Sequence, residues 1–124
     1  MSENKEYVSQ TLENGSIHIS DEVIVSLAAM AAQDVEGVYG LGTGADLNVL
    51  KKKNAAREIR VEISDKDEIS IDCYIIVLYG YSVVDVAKAV QEAVASTVES
   101  TTGRVVSDVN VSIGGISLPR NAKK

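Results

Sequence analysis

The chain has 124 residues and a formal net charge of −6, with 45% hydrophobic and 24% charged residues. That balance excludes a disordered chain and a multidomain enzyme, and it leaves one core burying roughly two thirds of the unfolded surface. With no Trp, no Phe, one Cys and one His, an aromatic core, an internal disulfide and a multi-histidine metal site are excluded as well. In chain order, residues 1–14 are polar and aperiodic and predict a disordered tail. Gly15, Ser16, Ile17, His18 and Ile19 alternate apolar and polar, which predicts a short edge strand. Ser20 is then a candidate N-cap, with Asp21 and Glu22 in the first turn where the helix dipole favours negative charge. Val23, Leu27, Met30, Ala31 and Val35 recur at helical spacing, predicting a helix over 21–36 that Gly37 stops.

The stretch 37–56 carries four glycines and a lysine run and gives no clear element beyond a short strand at Val38 to Leu41. Residues 57–64 predict a strand with Ile59, Val61 and Ile63 on one face and Glu58, Arg60 and Glu62 on the other. Ser64, Asp65, Lys66 and Asp67 make a polar turn, so a hairpin leads into a strand over 68–79. On that strand Ile69, Ile71, Cys73, Ile75, Val77 and Tyr79 form a core face. Ser70 and Asp72, then Tyr74, Ile76 and Leu78, form the other.

Ser82 and Asp85 match a capping box, opening a helix to about Thr102 with Val83, Val86, Ala87, Val90, Val94, Val98 and Thr101 at helical period and Gly103 as its stop. A last strand over 104–113 sets Val105, Val109, Val111 and Ile113 on one side and Val106, Asp108, Asn110 and Ser112 on the other. The final residues, 117–124, read as a basic tail. The order α-β-β-α-β predicts an α+β fold: a small mixed sheet of three to four strands with two helices packed on one face, all in one domain over 15–116. The crossover from 68 to 113 is expected to be right-handed. With one sheet face left free, Tyr74, Ile76 and Leu78 predict an exposed contact stripe.

Charge is uneven. Lys51, Lys52, Lys53, Arg57 and Arg60 against Glu58 give a local +4, while the rest of the chain carries −10. The net acidity argues against non-specific nucleic-acid binding and against attraction to anionic lipid. The first residues lack the apolar run of a secretory signal, and the longest apolar stretch, 74–79, is too short to span a bilayer, so a cytoplasmic chain is expected.

Catalytic hardware is sparse. Cys73 falls in a core register with no neighbouring base to lower its pKa, which predicts an inert buried thiol rather than a nucleophile. His18, between Ile17 and Ile19, predicts a solvated edge side chain. The carboxylate pairs Asp21/Glu22 and Asp67/Glu68 sit at a helix start and in a turn, without the pocket that would separate their pKa values. The glycines of 37–44 lack the lysine and hydroxyl ending of a phosphate loop. The sharpest rival is Gly37-Val38-Tyr39-Gly40, a GxxG of the kind that clamps a nucleic-acid backbone in KH domains, with Lys51, Lys52 and Lys53 as its basic complement. It follows an acidic helix, which would repel phosphates. No enzyme activity, cofactor or metal is expected.

From Tyr79 to Ile116 the chain resembles the alkaline shock protein family, envelope-stress proteins widespread in Gram-positive bacteria. The resemblance is carried by Tyr79-Gly80, Val90-Gln91, Thr102-Gly103 and Val109-Asn110-Val111. Upstream, Gly15, Ile17, Ile19 and Ser20 before the first helix and Val35-Glu36-Gly37-Val38 after it agree. The resemblance implies a non-catalytic cytoplasmic factor in cell-envelope homeostasis and alkaline stress, with no active site to carry over. It further implies self-association or pairing with a paralogue, and recruitment by a membrane-anchored protein; some relatives are linked to lipid synthesis. Nucleic acid and direct membrane insertion are not expected.

Overall fold

A computed structural model describes residues 6–42 and 58–118. The order is β1 (Tyr7–Leu12), β2 (Gly15–Ser20), α1 (Asp21–Gln33), β3 (Val38–Leu41), β4 (Ile59–Ile63), β5 (Ile69–Leu78), α2 (Val83–Thr102) and β6 (Val106–Ser117). It is the expected α+β fold. β5 is the centre of a four-stranded mixed sheet. β4 pairs antiparallel with its first half, Ile69 to Cys73, and β3 antiparallel with its second, from Ile75 to Val77. β6 runs parallel along the whole of β5. A strand has only two edges, so β3 and β4 share one of them and β6 takes the other.

The uninterrupted alternation of β5 creates the core. Ile69, Ile71, Cys73, Ile75 and Val77 are fully buried on the face that the helices cover. From β4, Ile59 and Ile63 join them, with Val61 half-buried. α2 is held at both ends by local chemistry. The Ser82 hydroxyl accepts from Asp85 N at 3.3 Å, and Gly103 takes the left-handed conformation, φ +76°, that ends the helix. Its core stripe is Val86, Val90, Val94 and Val98, continued by Thr102 rather than by the predicted Thr101. Thr102 can be buried because its hydroxyl donates to Val98 O at 2.7 Å and accepts from Arg104 N at 3.2 Å. Burying each of these valines contributes about 1.5–3 kcal/mol, which offsets the weak helix propensity of a valine-rich segment.

Several expectations are corrected. The tail predicted over 1–14 contains β1, which pairs with β2 from Tyr7↔Ser20 to Leu12↔Gly15. Val8 anchors this hairpin in the core, and Gln10 Nε2 donates to Thr102 O at 3.5 Å and Gly103 O at 3.4 Å at the end of α2. The first helix ends at Gln33 with Asp34 as its cap, short of Glu36. Its buried face is Ile24, Ala28, Ala29, Ala31 and Ala32, while Val23 and Met30 stay exposed. Four of these five buried residues are alanines, so small side chains make up most of the inward face.

In β6 the phase is the reverse of that predicted at its start: Val106 is buried and Val105 exposed. A bulge between the pairs Ile69↔Val106 and Ser70↔Asp108 inserts an extra residue, which returns Val109 to the core side. β6 also runs on to Ser117, beyond the predicted strand and domain ends.

Candidate interaction site

The face of the sheet turned away from the helices is polar at one end. Cross-strand register sets Arg60 of β4, Asp72 of β5 and Asn110 of β6 abreast, with Tyr74 and Ser112 side by side in the next row. Asn110 Nδ2 donates to Asp72 Oδ1 at 2.9 Å. Together with Glu58 these side chains line an open hollow of about 300 Å³. One guanidinium among two carboxylates, beside a phenol and an amide, makes a surface suited to polar and stacking contacts.

The predicted stripe divides here. Tyr74, Ile76 and Leu78 do share this face, as the alternation required. Tyr74 is 43% exposed and Leu78 half-buried, but Ile76 is only 2% exposed. Ile76 lies between two glycines in the register, Gly40 of β3 and Gly115 of β6. It offers almost no exposed surface, and Tyr74 is the most exposed of the three.

Of the predicted basic patch, Arg60 is exposed and joins the hollow. Lys51, Lys52, Lys53 and Arg57 lie outside the described residues, as does the basic tail from residue 119. Sequence reasoning missed Asp72, Asn110 and Ser112 as members of one site. The parallel pairing of β5 with β6 brings them together, and a sequence shows polarity more readily than register.

The GxxG is not a clamp. Gly37 is buried at the entry to β3, and residues 38–40 are strand. Gly37 O accepts from Leu78 N at 2.8 Å, and the side chains of Tyr81 and Val86 close over its Cα. The Tyr81 hydroxyl donates to Glu36 Oε2 at 3.4 Å, pinning that lid. His18 is exposed on the β1–β2 hairpin, its ring centroid 4.7 Å from that of Tyr7.

Cys73 is fully buried on the helix side of β5. Burial first, and the negative charge of Asp72 second, push its thiol up to about 11 from an ordinary 9.0. A native-state thiol reagent should therefore label Cys73 only as fast as the chain opens. A pKa raised by folding gives stability that is complete below the unfolded value and lost as pH rises through the folded one. From about pH 9 to pH 11, unfolding in urea should thus reveal a loss on the order of 2–3 kcal/mol, absent in Cys73→Ala. Equal alkaline sensitivity in both proteins would assign the loss to other groups.

Together these elements define a two-layer α+β domain whose sheet face turned away from α1 and α2 is polar at one end. The chain belongs to the alkaline shock protein 23 family, described as having a cell envelope-related function, and the family model matches residues 9–118. It is 37% identical over 84% of its length to the uncharacterized protein YloU of Bacillus subtilis, covering 90% of that protein. To the uncharacterized protein YqhY of the same organism it is 32% identical over 89% of this chain and 83% of the other. To the uncharacterized protein Spy1614 of Streptococcus pyogenes it is 31% identical over 86% of this chain and 91% of the other. Among solved structures, a form of the MamM CTD covers 77% of this chain and 94% of its own, with 22% identity and a TM-score of 0.49. That likeness is too distant to bear on function. Among the described residues no helix is long and apolar enough to cross a membrane.

Proposed function

We propose that this chain is a non-catalytic, cytoplasmic scaffold of the cell envelope in the response to alkaline and related stress. It works by associating with copies or paralogues of itself and by binding a membrane-anchored protein. The observation that carries this reading is the open sheet face, where exposed Tyr74 stands beside the Arg60–Asp72–Asn110 row. Tyrosine and arginine dominate the binding energy of protein interfaces because they combine large contact area with directed hydrogen bonds. The closed, protonated Cys73 supports a role without covalent chemistry. Attachment through a partner suits a chain in which, among the described residues, no helix is long and apolar enough to cross a membrane.

The test is affinity purification from separated membrane and soluble fractions, with nuclease treatment, for the natural chain and Tyr74→Ala. A membrane-spanning protein should co-purify in stoichiometric amount and resist nuclease. Tyr74→Ala, folded by circular dichroism, should weaken its capture roughly ten-fold or more. Capture unchanged by the substitution would remove this face as the binding site. Recovery of nuclease-sensitive RNA in place of protein would overturn the scaffold reading.

A further inference from the structure

The β1–β2 hairpin is anchored at one end only. At its root Val8 is fully buried, and Gln10 Nε2 donates to the carbonyls of Thr102 and Gly103. From Thr11 to His18 every residue is exposed, so the tip gains little from burial and is held mainly by cross-strand pairing. The pair Leu12↔Gly15 closes the turn over Glu13 and Asn14. Gly15 takes φ +137°, a conformation that a residue with a side chain reaches only under strain, and a Cβ there would meet nothing within 4 Å. The turn thus calls for glycine directly after Asn14 and leaves the amide between them uncrowded. Of the asparagines in the sequence, only Asn14 is followed by glycine. Among the described residues its side chain has no hydrogen-bond partner.

We propose that Asn14–Gly15 is a site of self-modification, where Asn14 converts to aspartate and isoaspartate through a cyclic imide. Hydroxide removes the proton of Gly15 N, and this nitrogen attacks Asn14 Cγ. The new Cγ–N bond closes a succinimide ring as the Cγ–Nδ2 bond breaks, and Nδ2 takes a proton from water and leaves as ammonia. Water then opens the ring. Breaking the bond between Gly15 N and Asn14 Cγ gives aspartate. Breaking the bond between Gly15 N and the main-chain carbonyl carbon gives isoaspartate, whose main chain runs through Asn14 Cβ and is one methylene longer. One ammonia leaves, one water enters, and no oxidant or reductant takes part.

The fold singles out this asparagine. Asn110 is the other one among the described residues, and it lies inside β6, paired along β5. Its Nδ2 donates to Asp72 Oδ1 at 2.9 Å, and the branched Val111 follows it. Attack requires the main chain to swing the next nitrogen toward the side chain, which a paired strand allows only after opening. Opening costs almost nothing at a fraying hairpin tip and approaches the cost of global unfolding in a central ladder. Because the attacking group is a deprotonated amide, the mark accumulates with time spent in alkali. Isoaspartate lengthens the turn, so Leu12 and Gly15 no longer face each other and the register of the tip is lost. Val8 and Gln10 lie on the root side of that change and keep the hairpin on the body.

Peptide mapping by mass spectrometry, on the folded chain held at neutral and at mildly alkaline pH, tests the site. The peptide holding Asn14 should exchange one ammonia for one water, and an isoaspartyl methyltransferase should label it. Conversion should run roughly ten-fold or more faster at Asn14 than at Asn110, and should quicken in proportion to hydroxide. Asn14→Gln, whose longer side chain would have to close a larger ring, should abolish the labelling and leave the circular dichroism spectrum unchanged. The converted chain should keep its urea midpoint while the amides of the hairpin tip exchange faster. Asn14 converting no faster than Asn110, or at a rate indifferent to pH, would overturn the proposal. A lowered midpoint in the converted chain would overturn the confinement of the effect to the tip.

Discussion

Gly37→Ala should destabilise the fold by about 2–4 kcal/mol, whereas Gly40→Ala, three residues away, should be nearly neutral. At Gly37 two costs add. Its φ of +99° lies where a side chain clashes with its own backbone, and a Cβ would stand 2.7 Å from Val86 Cγ2 and 2.9 Å from Tyr81 Cδ2. Neither neighbour can retreat cheaply: Val86 is buried in the α2 stripe, and Tyr81 is tied through its hydroxyl to Glu36. At Gly40 a Cβ meets nothing within 4 Å. Urea unfolding of both variants measures the difference. Equal, small effects at the two positions would mean that the Tyr81–Val86 lid is looser than its packing indicates.

Ile71→Ala should cost about 2–5 kcal/mol, a large share of the 5–15 kcal/mol that holds a typical domain together. Ile71 is fully buried at the middle of the sheet, paired with Val61 on one side and Val109 on the other. With no Phe or Trp in the chain, the core is built mainly from branched aliphatics, whose stiff side chains fill a vacated space poorly. Tyr74→Ala, on the open face, removes a side chain that solvent already reaches and should leave the midpoint almost unchanged. A small effect at Ile71 would require the helices to settle onto the sheet and fill the gap.

Parts of this architecture were legible from residues alone, and the reasons differ by element. β5 was readable because five successive apolar positions at period two have no other use. α2 was readable because Ser82 with Asp85 and then Gly103 mark its ends chemically. The helix α1 was legible in position but not in orientation. Periodicity weights large residues, and here alanines make up most of the buried face. β1 escaped notice because only Val8 of its six residues is buried; the strand exists by pairing with β2, and pairing leaves little trace in a polar sequence.

The candidate contact surface was half legible for a related reason. Alternation assigned Tyr74, Ile76 and Leu78 to one face correctly, yet alternation does not set exposure along that face: Ile76 is 2% exposed although its register neighbours, Gly40 and Gly115, carry no side chain. The grouping of Arg60 with Asp72 and Asn110 depends on register across three strands. The bulge that sends Val106 inward and Val105 outward is likewise a property of two paired strands, unseen in either alone.

Among the described residues every pairing in the main sheet has β5 as one member: β3, β4 and β6 each bond to it and none bonds to another. Consequently no pair of these strands can form before β5 is in place, and none can survive its departure. The β4–β5 hairpin is local in sequence and can form early. β3 must wait for a strand about thirty-five residues downstream, and β6 for the helix that returns the chain beside β5. Assembly therefore has a fixed hub and an enforced order, and disassembly has no partial stopping point within this sheet. Such a chain is expected to unfold as one cooperative unit, with the amide protons of β5 the last to exchange with solvent.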